Sequence, residues 1–402
     1  MTTPNIESPS VPTPSGVEEE QEDERKRRLL LLILLFLLLL CCGIAFLFIR
    51  YLAKPQPLPQ LLPVQVGNYP PTYKFSIVGV DGPVGVAASP DNQRIYVTES
   101  RGQRLIKEFD RSGNLIGSFA PPATTPGSRQ PVYIAVDATG RVFVVDRINN
   151  DIDLFDANGT FLDAIIAPNM TLTKFLATQI PGGAPIGTTF SWDGINHLVT
   201  YQMQGQASHK VKFNMPTTPW SPMGIRFDQQ GDLIYTDITT NLHSVHIIPA
   251  ASISGSWMTF APTIQEFGTE GDGTGQFQFP NNALTDSKGN FYVSDGDNAR
   301  IQAFGPNLAY TTFFGFGTGD DGLNLPRGMW MDSKDHLHVA DAVGSVVRVY
   351  DVSGSVPQFL FNFGTPGTDA GEFNYPIDIC IDGTGRLYIA DRDNDRVQIW
   401  SY

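Results

Sequence analysis

The sequence predicts an all-β fold, a β-propeller of four-stranded antiparallel blades, with one transmembrane helix ahead of it. Three observations predict it. An uncharged apolar run occupies 29–49, the composition is rich in turn formers, and one short unit recurs down the rest of the chain. The 39 Gly and 30 Pro, with 26 Phe, 13 Tyr and only 17% charged residues, suit short strands joined by tight turns.

The apolar run LLLLILLFLLLLCCGIAFLFI is 21 residues without a charge. As a helix it spans roughly 31 Å, the thickness of a bilayer core. Arg25, Lys26, Arg27 and Arg28 precede it, and only Arg50 and Lys54 follow closely. The positive-inside rule therefore places the N-terminus in the cytoplasm and the body outside, a single-pass protein of the cell membrane. The run is longer than the apolar stretch of a cleaved signal peptide, and FLFIRYLAK after it offers no pair of small residues for cleavage. Residues 1–28, rich in Pro, Ser, Thr and Glu near their start, are expected to be a disordered cytoplasmic tail. Residues 50–72, with PQPLPQLLPVQVGNYPP inside them, are expected to be an extended spacer. The propeller should then fill 73–402.

The repeat is clearest in three stretches: 267–304 (FGTEGDGTGQFQFPNNALTDSKGNFYVSDGDNARIQAF), 314–350 and 363–400 (FGTPGTDAGEFNYPIDICIDGTGRLYIADRDNDRVQIW). Each has a Gly-rich loop, a Pro, a strand ending in Asp, a turn, a second strand ending in Asp, and a third ending in an aromatic. SKG and GTG are hairpin turns, where Gly accepts positive φ. Another strand leads into the next Phe-Gly, so each unit supplies four antiparallel strands, one propeller blade. Weaker copies read VAASPDNQRIYVTE (86–99), IAVDATGRVFVVD (134–146) and IRFDQQGDLIYTD (225–237). The pattern closely resembles the NHL-repeat family of β-propellers over about 73–402, most specifically in the last three units.

The acidic residue ending the second strand marks the register: Glu99, Asp146, Asp237, Asp295, Asp341 and Asp391. The step from Asp146 to Asp237 is 91, nearly twice the others. It contains TTFSWDGINHLVTYQ (188–202) and HKVKF (209–213), which read as a degraded blade. Seven blades is thus the preferred count and six plus an insertion the alternative; the family resemblance by itself implies six. The chain ends just after the third strand RVQIW. The run YKFSIVG (73–79) is therefore expected to supply the missing outer strand and to close the ring, leaving no sheet edge open.

The recurrent carboxylates read as scaffold, anchoring turns or pairing with Arg300 and Arg396 five residues on. His336 and His338 alternate on one strand and face the same way, while His243 and His246 face opposite ways. The resemblance brings in zinc lyases, whose His ligands come from separate blades; no comparable His set stands here, and neither metal nor cofactor is predicted. Cys380 in IDICID reads as a buried core residue. The sequons at Asn158 and Asn169 matter only in a glycosylating host. Departures from the repeat are more informative. The family pattern has Gly two residues after the inner-strand Pro, kept at Gly85, Gly224 and Gly328. Tyr133, Asn282 and Asp378 replace it, and Arg327 stands beside one such slot. These four are the candidate ligand-binding residues, expected at the channel mouth where loops of several blades meet.

Of 27 basic and 41 acidic residues, six and seven precede residue 55, leaving 21 against 34 in the body. Such an acidic domain disfavours nucleic acid. With no catalytic constellation in view, the preferred function is a membrane-tethered scaffold binding protein or glycan ligands. A propeller enzyme, either a metal-dependent lyase or a lactonase-like hydrolase, and an extracytoplasmic sensor domain are the alternatives.

Overall fold

The computed structural model describes residues 14–53, 69–122, 124–180, 182–185, 188–193, 198–214 and 219–402. The chain divides into two compact units, 1–62 and 63–402, each taken by itself.

In the first unit a single helix runs from Pro14 to Ala53. It takes in residues 14–28, where a disordered tail was expected. EEEQEDERKRR is made of good helix formers, Glu24 and Arg28 pair at 3.5 Å one turn apart, and the apolar run continues the same helix. The helix also absorbs 50–53, while 54–68 of the expected spacer lie outside the described residues. Among the described residues no helix is long and apolar enough to cross a membrane. Side chains are described only for 24–43 of this helix, so the run 29–49 is described in part.

The second unit is all-β. Blade 1 spans 83–119, blade 2 131–171, blade 3 222–267, blade 4 280–314 and blade 5 326–363; blade 6 joins 376–401 to 72–77. The inner strands are Pro83–Ala88, Pro131–Val136, Pro222–Phe227, Pro280–Thr285, Pro326–Met331 and Pro376–Ile381. Each opens on a proline, which the first residue of an edge strand tolerates because no ladder bond needs its N–H. Each inner strand packs on the next, and the last packs on the first. The outer strand Thr72–Ile77 pairs antiparallel with Arg396–Ser401, Thr72 opposite Ser401 and Ile77 opposite Val397. The first and last segments thus share one blade.

The expected seventh blade takes another form. Residues 189–212 make a separate three-stranded sheet, Thr189–Asp193, Leu198–Gln202 and His209–Lys212, with the turn at 194–197 outside the described residues. The inner strands of blades 2 and 3 pack directly on each other, so this sheet has no place in the ring. With the helix Leu172–Thr178 it forms a small core of Leu172, Phe175, Leu176, Val199 and Phe213 against blade 2. The physical reason is local: no proline opens a buried inner strand there.

Aromatic side chains on the third and outer strands fill the space between blades. Phe267, Phe277 and Phe304 pack together, with ring centroids 4.8 Å apart for Phe267 and Phe304. Burying one such ring stabilises the fold by roughly 1.5–3 kcal/mol.

Candidate functional site

The axis is built from the inner strands. Two residues after each proline the ring reads Gly85, Tyr133, Gly224, Asn282, Gly328 and Asp378, so small and large alternate blade by blade. A Cβ on Gly224 would overlap the Asn281 carbonyl, and one on Gly328 would overlap the Asp378 carboxylate. The glycines make the room that the side chains between them fill, the usual way a narrow barrel or channel is packed. Tyr133, Asn282 and Asp378 are each 0% exposed.

Below this layer Arg226 closes the channel. Its guanidinium meets Asp378 Oδ1 at 2.5 Å and donates to the carbonyls of Ile225, Met329, Ile134 and Ile379. Asp378 Oδ2 accepts from the Val86 amide at 3.1 Å. Three blades converge on this pair besides the two that supply it. Burial pushes the Asp378 carboxyl up, and Arg226 draws it back down. A buried pair of this kind holds only because its remaining donors are spent on carbonyls.

Above the pair several buried polar atoms have no partner among the described residues: the Tyr133 hydroxyl, both amide atoms of Asn282, and Arg327 Nε. Burial pushes the Tyr133 phenol up. Buried polar groups of this sort are normally met by water or by a ligand.

The mouth at the strand starts is half-exposed. Arg327 donates to Asn281 Oδ1 at 2.5 Å and to the Tyr375 hydroxyl at 3.2 Å. Its guanidinium lies 5.8 Å from the Phe279 ring, and Arg392 lies 5.3 Å from the Tyr375 ring. Phe279 and Tyr375 each stand just before an inner-strand proline, with φ of 55° and 60°. Gly82, in the same place in blade 1, has φ 57°. Glycine takes that conformation freely, whereas a bulky side chain is strained in it, and a following proline adds a restriction.

The far end of the axis differs. A cavity of about 200 Å³ is lined by Arg226, Phe227, Asp228, Gln229, Leu284, Thr285, Trp330, Met331 and Asp332. Asp228 and Asp332 belong to a ring of turn carboxylates with Asp137, Asp286 and Asp382. Each of the five accepts the backbone amides two and four residues on.

The strand-ending carboxylates close the second strand of each blade and hold the segment ahead of the inner strand. Glu99 accepts from the Asp81 amide, Asp146 from Gln130, Asp237 from Ser221, Asp295 from Gln278, Asp341 from Leu325 and Asp391 from Asn374. Arg300 and Arg396 reach Asp295 and Asp391 at 2.8 Å. Of the histidines, His243 reaches the mouth: its Nδ1 accepts from the Phe279 amide at 3.2 Å, and its ring meets the Phe279 ring edge-on at 6.4 Å. His338 is fully buried between the His336 carbonyl at 3.2 Å and the Tyr402 hydroxyl at 2.8 Å, and burial holds it down to about 4. His336 faces Asp332 at 3.1 Å, and His246 stacks on Tyr235. Among the described residues no cluster of three His, Cys, Asp or Glu could hold a metal. Cys380 is buried, which pushes its thiol up. Asn158 and Asn169 are exposed.

The structure therefore brings all four candidate residues to one end of the ring and leaves only Arg327 among them in reach of solvent. Sequence reasoning missed Arg226, Asn281, Phe279 and Tyr375. An Arg inside an apolar inner strand (IRFD) was a visible signal, but the left-handed backbone before proline was not.

A ring of antiparallel blades, four-stranded except for the five-stranded blade 2 and closed by the strand Thr72–Ile77, is a β-propeller. The NHL repeat family model matches residues 373–400, which fall within the chain's last blade. The solved structures similar to it include a streptogramin B lyase, 14% identical over 81% of this chain and 96% of that one, with a TM-score of 0.50. A catalytically inactive virginiamycin B lyase from Staphylococcus aureus with quinupristin is also 14% identical, over 83% and 98%, with a TM-score of 0.50. At that identity the likeness is one of fold.

Proposed function

We propose that this propeller is a binding module held at the cell membrane by residues 29–49, with its N-terminus cytoplasmic and the ring outside, and that it takes protein or glycan ligands at the strand-start mouth. The observation that carries the binding reading is the pair of strained aromatics. Phe279 and Tyr375 occupy a backbone conformation that favours glycine, and both hold a ring against a guanidinium at the rim. Strain of this kind persists where the surrounding structure holds it, and such places cluster at ligand clamps. Aromatic faces and the Arg327 guanidinium suit sugar rings or peptide carboxylates.

The test uses full-length protein in detergent on glycan and peptide arrays. Arg327→Ala should weaken every genuine hit by about tenfold or more, the loss of a charge-assisted contact, with the melting temperature unchanged. Hits that survive in the variant would place binding elsewhere. For the anchor, protease added to intact cells should remove the propeller and spare the tail. A soluble propeller beginning near residue 55 would overturn the tether.

A further inference from the structure

The cavity at the far end of the axis contains an acceptor that its own repeat leaves unmet. In four of the five turn carboxylates the second oxygen faces a side chain from the adjoining strand. Arg141 reaches Asp137 Oδ2 at 2.7 Å, Asn290 reaches Asp286 Oδ2 at 2.7 Å, and Tyr388 reaches Asp382 Oδ2 at 3.1 Å. His336 Nδ1 stands 3.1 Å from Asp332 Oδ2, close but without hydrogen-bond geometry, so this second oxygen, on the same cavity wall, accepts no hydrogen bond among the described residues. The partner stands four residues on in three of these. At that place in blade 3 the residue is Asp232, which carries no donor; its Oδ1 accepts from the Ala250 amide at 2.8 Å. Asp228 Oδ1 is held by the amides of Gln230 and Asp232, and no donor reaches Oδ2 among the described residues.

We propose that this cavity binds a primary alkylammonium group, with Asp228 Oδ2 as its acceptor. The lining fits such a group at both ends. Phe227, Leu284, Met331 and the Trp330 ring offer apolar walls for an alkyl stem, and Thr285 adds a hydroxyl-bearing residue to the lining. A single free carboxylate oxygen suits a compact ammonium; a guanidinium fork wants both oxygens, and one is already spent on the turn. The Arg226 guanidinium in the cavity floor does not repel the ligand as a free charge would, because Asp378 neutralises it at 2.5 Å. The surrounding turn carboxylates add a field of the right sign. Burial, and then Asp232 close by, push the Asp228 carboxyl above its ordinary value, and a bound cation would draw it back.

The ammonium has two possible sources, a free amine or a lysine of a partner protein. Full-length protein in detergent is titrated with n-butylammonium and, separately, with the peptide acetyl-Gly-Lys-Gly-amide, each followed by saturation-transfer NMR. Binding of both points to free amines as ligands, and binding of the peptide alone points to a protein lysine. Asp228→Asn keeps the Oδ1 acceptor that the turn needs, and should weaken either probe by about tenfold. Asp232→Asn copies the Asn290 of blade 4, and gives Asp228 an internal donor. It should weaken the probes and raise the melting temperature together, a combination that damage to the fold cannot produce. Wild-type protein that binds neither probe, or an Asp228→Asn protein that binds them as well as wild type, overturns the proposal.

Discussion

Blades 6 and 2 solve the same problem in opposite ways. In blade 6 the buried Asp391 collects Asn394, Arg396 at 2.8 Å and Gln398 at 2.9 Å around one oxygen, while the other holds the loop amide of Asn374. In blade 2 Asp146 meets only amides and Asn149. The places of Arg396 and Gln398 are taken by Asp151 and Asp153, with Asp151 directly opposite Asp146 in register as Arg396 is opposite Asp391. Asp151 Oδ1 and Asp153 Oδ2 are buried without partners among the described residues. Burial, and after it the neighbouring carboxylates, push both acids well above their ordinary range. The blade that matches the repeat family is the one whose charges are met internally. A repeat is recognised by its neutralised network, and blade 2 has kept the strands while losing that network.

The two blades can be pulled apart by mutation. The largest effect belongs to the closure of blade 6. Deleting residues 69–79 removes the strand paired with Val397–Ser401 and exposes a sheet edge, so aggregation or loss of cooperative unfolding is expected by scanning calorimetry. Next, Asp391→Ala strands the half-buried Arg396 and the buried Gln398 and should cost about 3 kcal/mol in urea unfolding. Asp153→Asn in blade 2 should move stability the other way, by about 1 kcal/mol at pH 7, because it removes a buried charge that nothing meets. Equal losses in the two variants would mean that blade 2 holds its carboxylates by contacts equivalent to those of blade 6.

Acid sharpens the contrast further. Burial pushes Asp163 in blade 2 up to about 6, above an unfolded value of about 3.8. The folded state therefore holds its proton more tightly, and this residue's contribution is full below pH 3.8 and lost as pH rises through 6. His338 in blade 5, held down to about 4, works in the opposite sense: its contribution is full above about pH 6.5 and lost as pH falls toward 4. Asp163→Asn and His338→Gln should each flatten one of these slopes in melting temperatures measured from pH 4 to 7.

Much of this was legible in the sequence. The strand-ending acids marked every blade, and the bare third strand after Arg396 required a partner, which Thr72–Ile77 supplies. Alternating strands look alike in a blade and in an insertion, so the sequence left seven blades and six plus an insertion both open. The missing signal was the proline that opens all six inner strands and is absent at Thr189. The candidate site was legible as a location only. Tyr133, Asn282 and Asp378 do depart from glycine at the axis and alternate with Gly85, Gly224 and Gly328, but sequence could not show that they fill the space those glycines leave. Nor could it show that Arg226 crosses the ring to Asp378.

The central claim is that the strained aromatics of the mouth serve a ligand. Phe279→Gly, made in the full-length protein, tests it most directly. Relief of a left-handed backbone cost of about 1–2 kcal/mol roughly offsets the loss of a half-buried ring. The account predicts a melting temperature within about 5 °C of wild type and affinity for array-identified ligands reduced by about tenfold or more. A variant that is clearly destabilised yet binds with wild-type affinity per folded molecule would contradict it, and would make Phe279 a packing residue.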